Sequence, residues 1–223
     1  MIGTLNEGAL HAALKDWCGR PGDRIEERVG GYVVDLVRGD LLIEVQTGGF
    51  APLRRKLERL LETHRVRVVA PVAVSRRIVR VSGDGVVLSA RRSPKAGRVE
   101  DVFERLVSLP GLLAHPRFDL EVVLTHQDEV RVHEPGRAWR RRGWVVAGRS
   151  LTGVDGSLAI GSLDAATALL PAGLPDPFDT AELAAAASID RRLAQQMTYC
   201  LRIAGALATA GKRGNAALYR LAA

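Results

Sequence analysis

Residues Val66–Val74 read Val-Arg-Val-Val-Ala-Pro-Val-Ala-Val, an almost unbroken apolar run. A strand of that kind has to be covered on both faces, so the chain needs a layered α/β architecture rather than a one-sided sheet. What precedes the run supplies the layers. Thr4–Trp17 has Leu10, Leu14 and Trp17 at helical spacing, with Thr4-Leu-Asn-Glu7 fitting a capping box. Asp23–Val29, Tyr32–Arg38 and Leu41–Gln46 are short, β-rich and separated by glycines, as in a meander. Pro52–His64 carries Leu53, Leu57, Leu60 and Leu61 on one helical stripe. The order helix, three strands, helix, strand predicts a mixed sheet with helices on its faces.

The register of the meander carries chemistry. A two-residue Gly39-Asp40 turn pairs Arg38 with Leu41, and counting back puts Asp35 opposite Glu44. Alternation places Gln46 on the face of Glu44, and the Gly30-Gly31 turn brings Glu26 beside Asp35. Like charges across a sheet repel unless something compensates, and a divalent cation held by oxygen ligands does so. An exposed strand face, its carboxylates paired with arginines such as Arg28, accounts for the same pattern. The residues alone leave both readings open.

Glu7, Asp35 and Glu44-Val45-Gln46, in this element order, resemble the PD-(D/E)xK nuclease superfamily over about Gly3–Val74. The resemblance implies a restriction-endonuclease-like αβββαβ core and a Mg²⁺-dependent deoxyribonuclease, with Mn²⁺ as a substitute and 5′-phosphate and 3′-hydroxyl products. It further implies that Asp35, Glu44, the Val45 carbonyl and Glu7 hold the metal. Gln46 stands where the family usually has lysine, and a neutral amide can only hydrogen-bond. Lys56, on the following helix, is the candidate replacement for that charge. The ordinary roles are a helix cap for Glu7 and a solvated position for Lys56.

The chain has 223 residues, 47% hydrophobic and 26% charged, with a formal charge of +7. Two short regions hold the excess. Ala70–Glu100 has seven Lys/Arg against two acids, and Arg137–Arg149 has five Arg and no acid. This clustering points to a polyanionic partner, DNA above all, against the alternative of an Arg-biased composition. Trp139 and Trp144 flank Arg140-Arg141-Arg142, a backbone-binding candidate. Apolar content of this order excludes a mainly disordered chain, and no apolar run is long enough to span a bilayer. Neither a signal peptide nor a membrane partner is expected, and the expected location is cytoplasmic and nucleoid-associated. Cys18 and Cys200 cannot form a disulfide scaffold, and the five histidines lack metal-ligand spacing.

In the middle, Ile78–Val81 and Val86–Leu88 read as strands around a turn, Val99–Leu109 as a helix, and Leu120–Thr125 with Val130–Val132 as a hairpin. Trp144–Ala147 reads as a strand within a connecting segment. Beyond Gly161 come helices at Asp164–Leu170, Thr180–Ala187 and Ile189–Ala206, then two strands around Gly211–Asn215. Asp179 and Ser188 read as helix caps. Element order here resembles a winged-helix DNA-binding domain, whose candidate contacts are Arg191, Arg192, Gln195, Gln196, Lys212, Arg213 and Asn215. Protein contact or dimerisation is a competing use of that fold. The expected division is 1–136 nuclease-like, 137–162 a basic connection and 163–223 winged-helix. The expected function is a metal-dependent DNA endonuclease in repair, recombination or branched-DNA processing, with a homodimer fitting the need to cut two strands. The alternative is a non-catalytic DNA-binding or regulatory protein on a nuclease-derived scaffold.

Overall fold

The computed structural model describes residues 8–222. Helix α1 (Ala9–Cys18) is followed by β1 (Arg24–Val29), β2 (Tyr32–Arg38) and β3 (Leu41–Val45), an antiparallel meander. Gly39 has φ 58°, so the β2–β3 turn uses a left-handed position that glycine adopts without a Cβ penalty. Arg38 pairs with Leu41, as the turn predicts. After a 3₁₀ turn, α2 (Arg54–Leu61) crosses over to β4 (Arg65–Val81), which runs parallel to β3. Then come β5 (Val87–Arg92), α3 (Phe103–Leu106), β6 (Phe118–His133) and β7 (Trp144–Ile160). The seven-stranded mixed sheet has the order β1-β2-β3-β4-β6-β7, with β5 alongside the far half of β4.

Strands β4, β6 and β7 are far longer than the sequence reading allows. β4 is continuous through Pro71 and reaches Val81. β3 pairs with it only as far as Val69 and β5 only from Arg77, so Pro71 lies where one edge is unpaired and a missing N–H is tolerated. The expected Leu120–Val132 hairpin is instead one strand, β6, parallel to β4 and antiparallel to β7. Its polar interval His126–Glu129 looks like a turn, but these residues are satisfied within the sheet: His126 meets Asp155 at 2.6 Å, Asp128 meets Arg77, and Glu129 meets three arginines. Residues 144–160 of the expected basic connection form β7. The expected Val99–Leu109 helix is a 3₁₀ turn leading into the short α3.

On one face α1 buries Leu10 and Leu14 against Leu36, Ile43, Val45, Val69 and Val123. On the other, Val66, Val68, Leu120 and Val122 pack under Leu57, Leu60 and Phe103. That second core continues without a break into α4 (Leu163–Thr167), α5 (Thr180–Ala187) and α6 (Arg191–Ile203), through Leu183, Leu193, Met197 and Leu201. β8 (Leu207–Arg213) and β9 (Ala216–Leu221) form a terminal hairpin. Asp179 caps α5 in a capping box with Glu182. Ser188 does not cap α6: it ends α5 at φ 52°, and Asp190 accepts the Leu193 amide at 2.8 Å instead.

The shared core gives a first prediction. Phe103 is fully buried in the cluster that joins the sheet to α6, so Phe103→Ala should cost about 3–5 kcal/mol. Calorimetry should show one cooperative transition, moved down as a unit; two separable transitions would refute a common core.

Candidate active site

The site forms where β2 and β3 stop pairing. The last paired residues are Leu36 and Ile43, and one step further Asp35 and Glu44 face each other. In place of a ladder bond, the Val45 amide donates to Asp35 Oδ2 at 2.8 Å. Asp35 is therefore tied to the strand that carries Glu44. Helix α1 adds His11, whose Nε2 lies 3.3 Å from the same carboxylate oxygen. Helix α2 adds Lys56, which forms an ion pair with Glu44 Oε1 and donates to the Val33 carbonyl at 2.5 Å. Both helices reach the site because their apolar stripes dock on opposite faces of the same strands.

Burial sets the electrostatics. Glu44 is 4% exposed. Burial pushes its carboxyl up to about 7, opposed by the Lys56 ammonium and reinforced by the negative charge of Asp35. Burial also acts on Asp35, but the His11 contact and the Val45 amide outweigh it and hold that carboxyl below its ordinary value. Two carboxylates side by side thus have opposite tendencies, one firmly ionised and one titrating near neutrality.

Gln46, two residues after Glu44, donates its side-chain amide to the Gly49 carbonyl at 2.6 Å. Its own carbonyl accepts from Arg105, which also donates to the Pro71 carbonyl at 2.7 Å and so secures the end of β3 against β4. Glu7 lies outside the described residues. Glu26 sits across from Asp35 between the Ile25–Leu36 and Glu27–Val34 pairs. It takes φ 53°, and its carboxylate is held by Lys15 at 2.7 Å rather than joining the site. Sequence reasoning passed over His11, because one histidine without a spaced partner carries no metal signature; its place beside Leu10 and Leu14 on the packing side of α1 was the available signal.

Among the described residues, no group of three or more His, Cys, Asp and Glu side chains converges to hold a metal ion. The candidate donor set is two carboxylates and the Val45 carbonyl. Such hard oxygen donors suit Mg²⁺, which commonly takes one or two carboxylates and fills its remaining positions with water and phosphate. Glu44 Oε1 is buried with the Lys56 ammonium as its described partner, so its free lone pairs fit a cation.

The other candidates lie elsewhere. Arg140 and Arg141 occupy an exposed 3₁₀ turn in the β6–β7 loop, Arg140 lying over the Trp139 ring at 5.0 Å, and Arg142 closes that turn at φ 52°. Arg191, Arg192 and Gln195 are exposed on α6, whereas Gln196 is half-buried. Lys212 and Asn215 are exposed at the terminal hairpin. Arg213 is engaged, at 2.7 Å from Glu182.

Residues 8–161 match the family described as Domain of unknown function (DUF8091), and the chain belongs to that family. It is also 32% identical over 221 residues, covering 98% of this chain and 87% of the relative, to an "Uncharacterized protein" of Treponema pallidum (strain Nichols). No solved structure matches it. No helix among the described residues is long and apolar enough to cross a membrane.

Proposed function

We propose that the chain is a metal-dependent DNA endonuclease, with Asp35, Glu44 and the Val45 carbonyl holding Mg²⁺. The observation that carries this reading is the pair of facing carboxylates at the point where β2 and β3 part, linked by the Val45 amide to Asp35 at 2.8 Å. A bound Mg²⁺ would supply Lewis-acid polarisation of the phosphodiester and a lowered pKa for water. Asp35, kept ionised by His11 and the Val45 amide, provides a fixed negative ligand. Lys56 supplies the positive charge that Gln46 cannot, from α2 instead of β3. Gln46 orders the loop after β3 through Gly49. We further propose that α4–α6 with the β8–β9 hairpin act as a winged-helix module, using the exposed Arg191, Arg192 and Gln195 on DNA. A role in repair, recombination or branched-DNA processing, as a homodimer, belongs to the same proposal.

A second reading is supported by the Glu44–Lys56 pair itself. A carboxylate already neutralised by an ammonium also suits a non-catalytic DNA-binding scaffold. A cleavage panel separates the two, using single-stranded, duplex, flapped and four-way-junction DNA with Mg²⁺, Mn²⁺ or EDTA. Cutting with either metal and none in EDTA is expected. Tight binding without cutting in every lane would favour the scaffold.

A further inference from the structure

Beyond the end of β3, β4 and β6 continue side by side from Ser75–His126 to Val81–Val132, with β5 and β7 on their outer edges. The pairing registers place Arg76, Arg80, Arg91, Arg131 and Arg149 on one face of this extension, with Glu129 as its acid. Glu129 is 2% exposed. Arg131 approaches its carboxylate at 2.6 Å, Arg149 at 3.1 Å and Arg76 at 3.7 Å, one from each of three strands. Arg80 lies 4.7 Å over the Trp144 ring. The Nε atoms of Arg76 and Arg80 are buried without a hydrogen-bond partner among the described residues.

One carboxylate can neutralise one guanidinium, so this face holds a fixed surplus of positive charge. The opposite face is arranged differently: there Arg77 has Asp128 as its own partner. Crowding like charges is unfavourable and calls for a compensating partner. We infer that this arginine face is a phosphate-backbone track for the nucleic acid, with Glu129 as the fixed post that orients the guanidinium groups. It rests on the DNA substrate of the proposed function and goes beyond it by placing the substrate on the sheet extension.

Three features select a nucleic-acid backbone over an acidic protein segment. Guanidinium forks match phosphate oxygens bidentately, and the contacts with Glu129 pre-set their orientation. Length also fits. From Ser75 to Val81 the strand advances about 20 Å at roughly 3.3 Å per residue, somewhat over half a turn of duplex DNA. Finally, Arg149 of this face lies within electrostatic reach of Arg105. Arg105, which secures Gln46, has its guanidinium pKa lowered by burial and by the charge of Arg149. At the far end, the same strands lead into the Arg140–Arg142 loop. Arg76 and Arg149, with side chains 32% and 41% exposed, are the outer donors, while Arg131 at 16% is the inner one.

The test uses the full chain in EDTA and a fluorescent 30-base-pair duplex, with anisotropy read across a salt series. The double variant Arg76→Gln/Arg149→Gln should weaken binding roughly tenfold near 0.1 M salt. It should reduce the log–log salt slope by about two, since each lost phosphate contact removes roughly 0.9. Arg76→Lys/Arg149→Lys should restore most of the slope, and melting curves should show both variants folded. Unchanged affinity and slope in the double Gln variant would overturn the track. So would poly-glutamate displacing the duplex as well as competitor DNA of equal charge, which would assign the face to an acidic protein. Binding in EDTA does not depend on Asp35 or Glu44, so the two proposals fail separately. Failure of the nuclease reading leaves binding without cutting; failure of the track leaves cutting with affinity unmoved.

Discussion

Asp35→Ala and Glu44→Ala are each expected to lower Mg²⁺-dependent cleavage by at least about 100-fold, more than the loss usual for a residue that only supports a metal ligand. Each removes one of the two facing carboxylates. Each also changes what its neighbours meet: Asp35→Ala removes the acceptor of the Val45 amide and the carboxylate beside His11, and Glu44→Ala removes the counter-charge of the Lys56 ammonium. The companion variants Asp35→Asn and Glu44→Gln keep shape and remove charge. They should lose cleavage to a similar degree, which separates lost ligation from lost packing. DNA binding in EDTA should hold within about twofold in all four, because these carboxylates repel phosphate and contribute no attraction to it. Cleavage at the wild-type rate in the folded Asn and Gln variants would refute the assignment. The readout is initial cutting rate on the preferred substrate, with binding measured in the same samples.

The parts of this site that were legible from sequence share one property: they follow from local geometry. Gly39-Asp40 defines a two-residue turn, that turn fixes Arg38 opposite Leu41, and a count of three residues reaches Asp35 and Glu44. Lys56 was within reach for a similar reason, since it flanks the stripe of Leu53, Leu57 and Leu60. His11 was not legible, because its meaning comes from how α1 docks on β2 and β3, a tertiary fact. Strand alternation puts Gln46 on the face of Glu44; what alternation does not reveal is that β3 ends at Val45 and that the Gln46 side chain bonds Gly49 in the loop beyond. The long strands failed for another reason. Polar residues in the middle of a strand mimic a turn unless their partners are known, and the partners of Asp128 and Glu129 lie up to 53 residues away on β4 or across on β7. Helix limits show the same division. Asp179 and Glu182 make a box readable from spacing, whereas Ser188 and Asp190 compete for one cap and φ 52° at Ser188 decides between them.

Lys56→Met should be the most destabilising change at the site. It leaves Glu44 buried without its counter-charge, which costs about 3–5 kcal/mol where a buried ion pair is broken by loss of one partner. For a chain of this length each kcal/mol moves Tm by roughly 2–4 °C, so a fall of about 10 °C is expected at pH 8. The pH dependence identifies the cause. Folding raises the Glu44 carboxyl from 4.5 to about 7, so the native state holds this proton more tightly than the unfolded chain does. Its contribution is therefore fully present below about pH 4.5 and is lost as pH rises through about 7. Removing Lys56 raises that carboxyl further and extends the loss to higher pH. In EDTA, the Tm gap between wild type and Lys56→Met should thus be large at pH 8 and small at pH 5, where Glu44 carries its proton. An equal gap at both values would mean that Lys56 acts through packing alone. Replacing both partners, as Glu44→Leu/Lys56→Met, should be neutral or stabilising, because two charges then leave the interior together. That double variant should also be inactive, and a pair whose removal raises stability while abolishing cleavage is held in place by function rather than by folding.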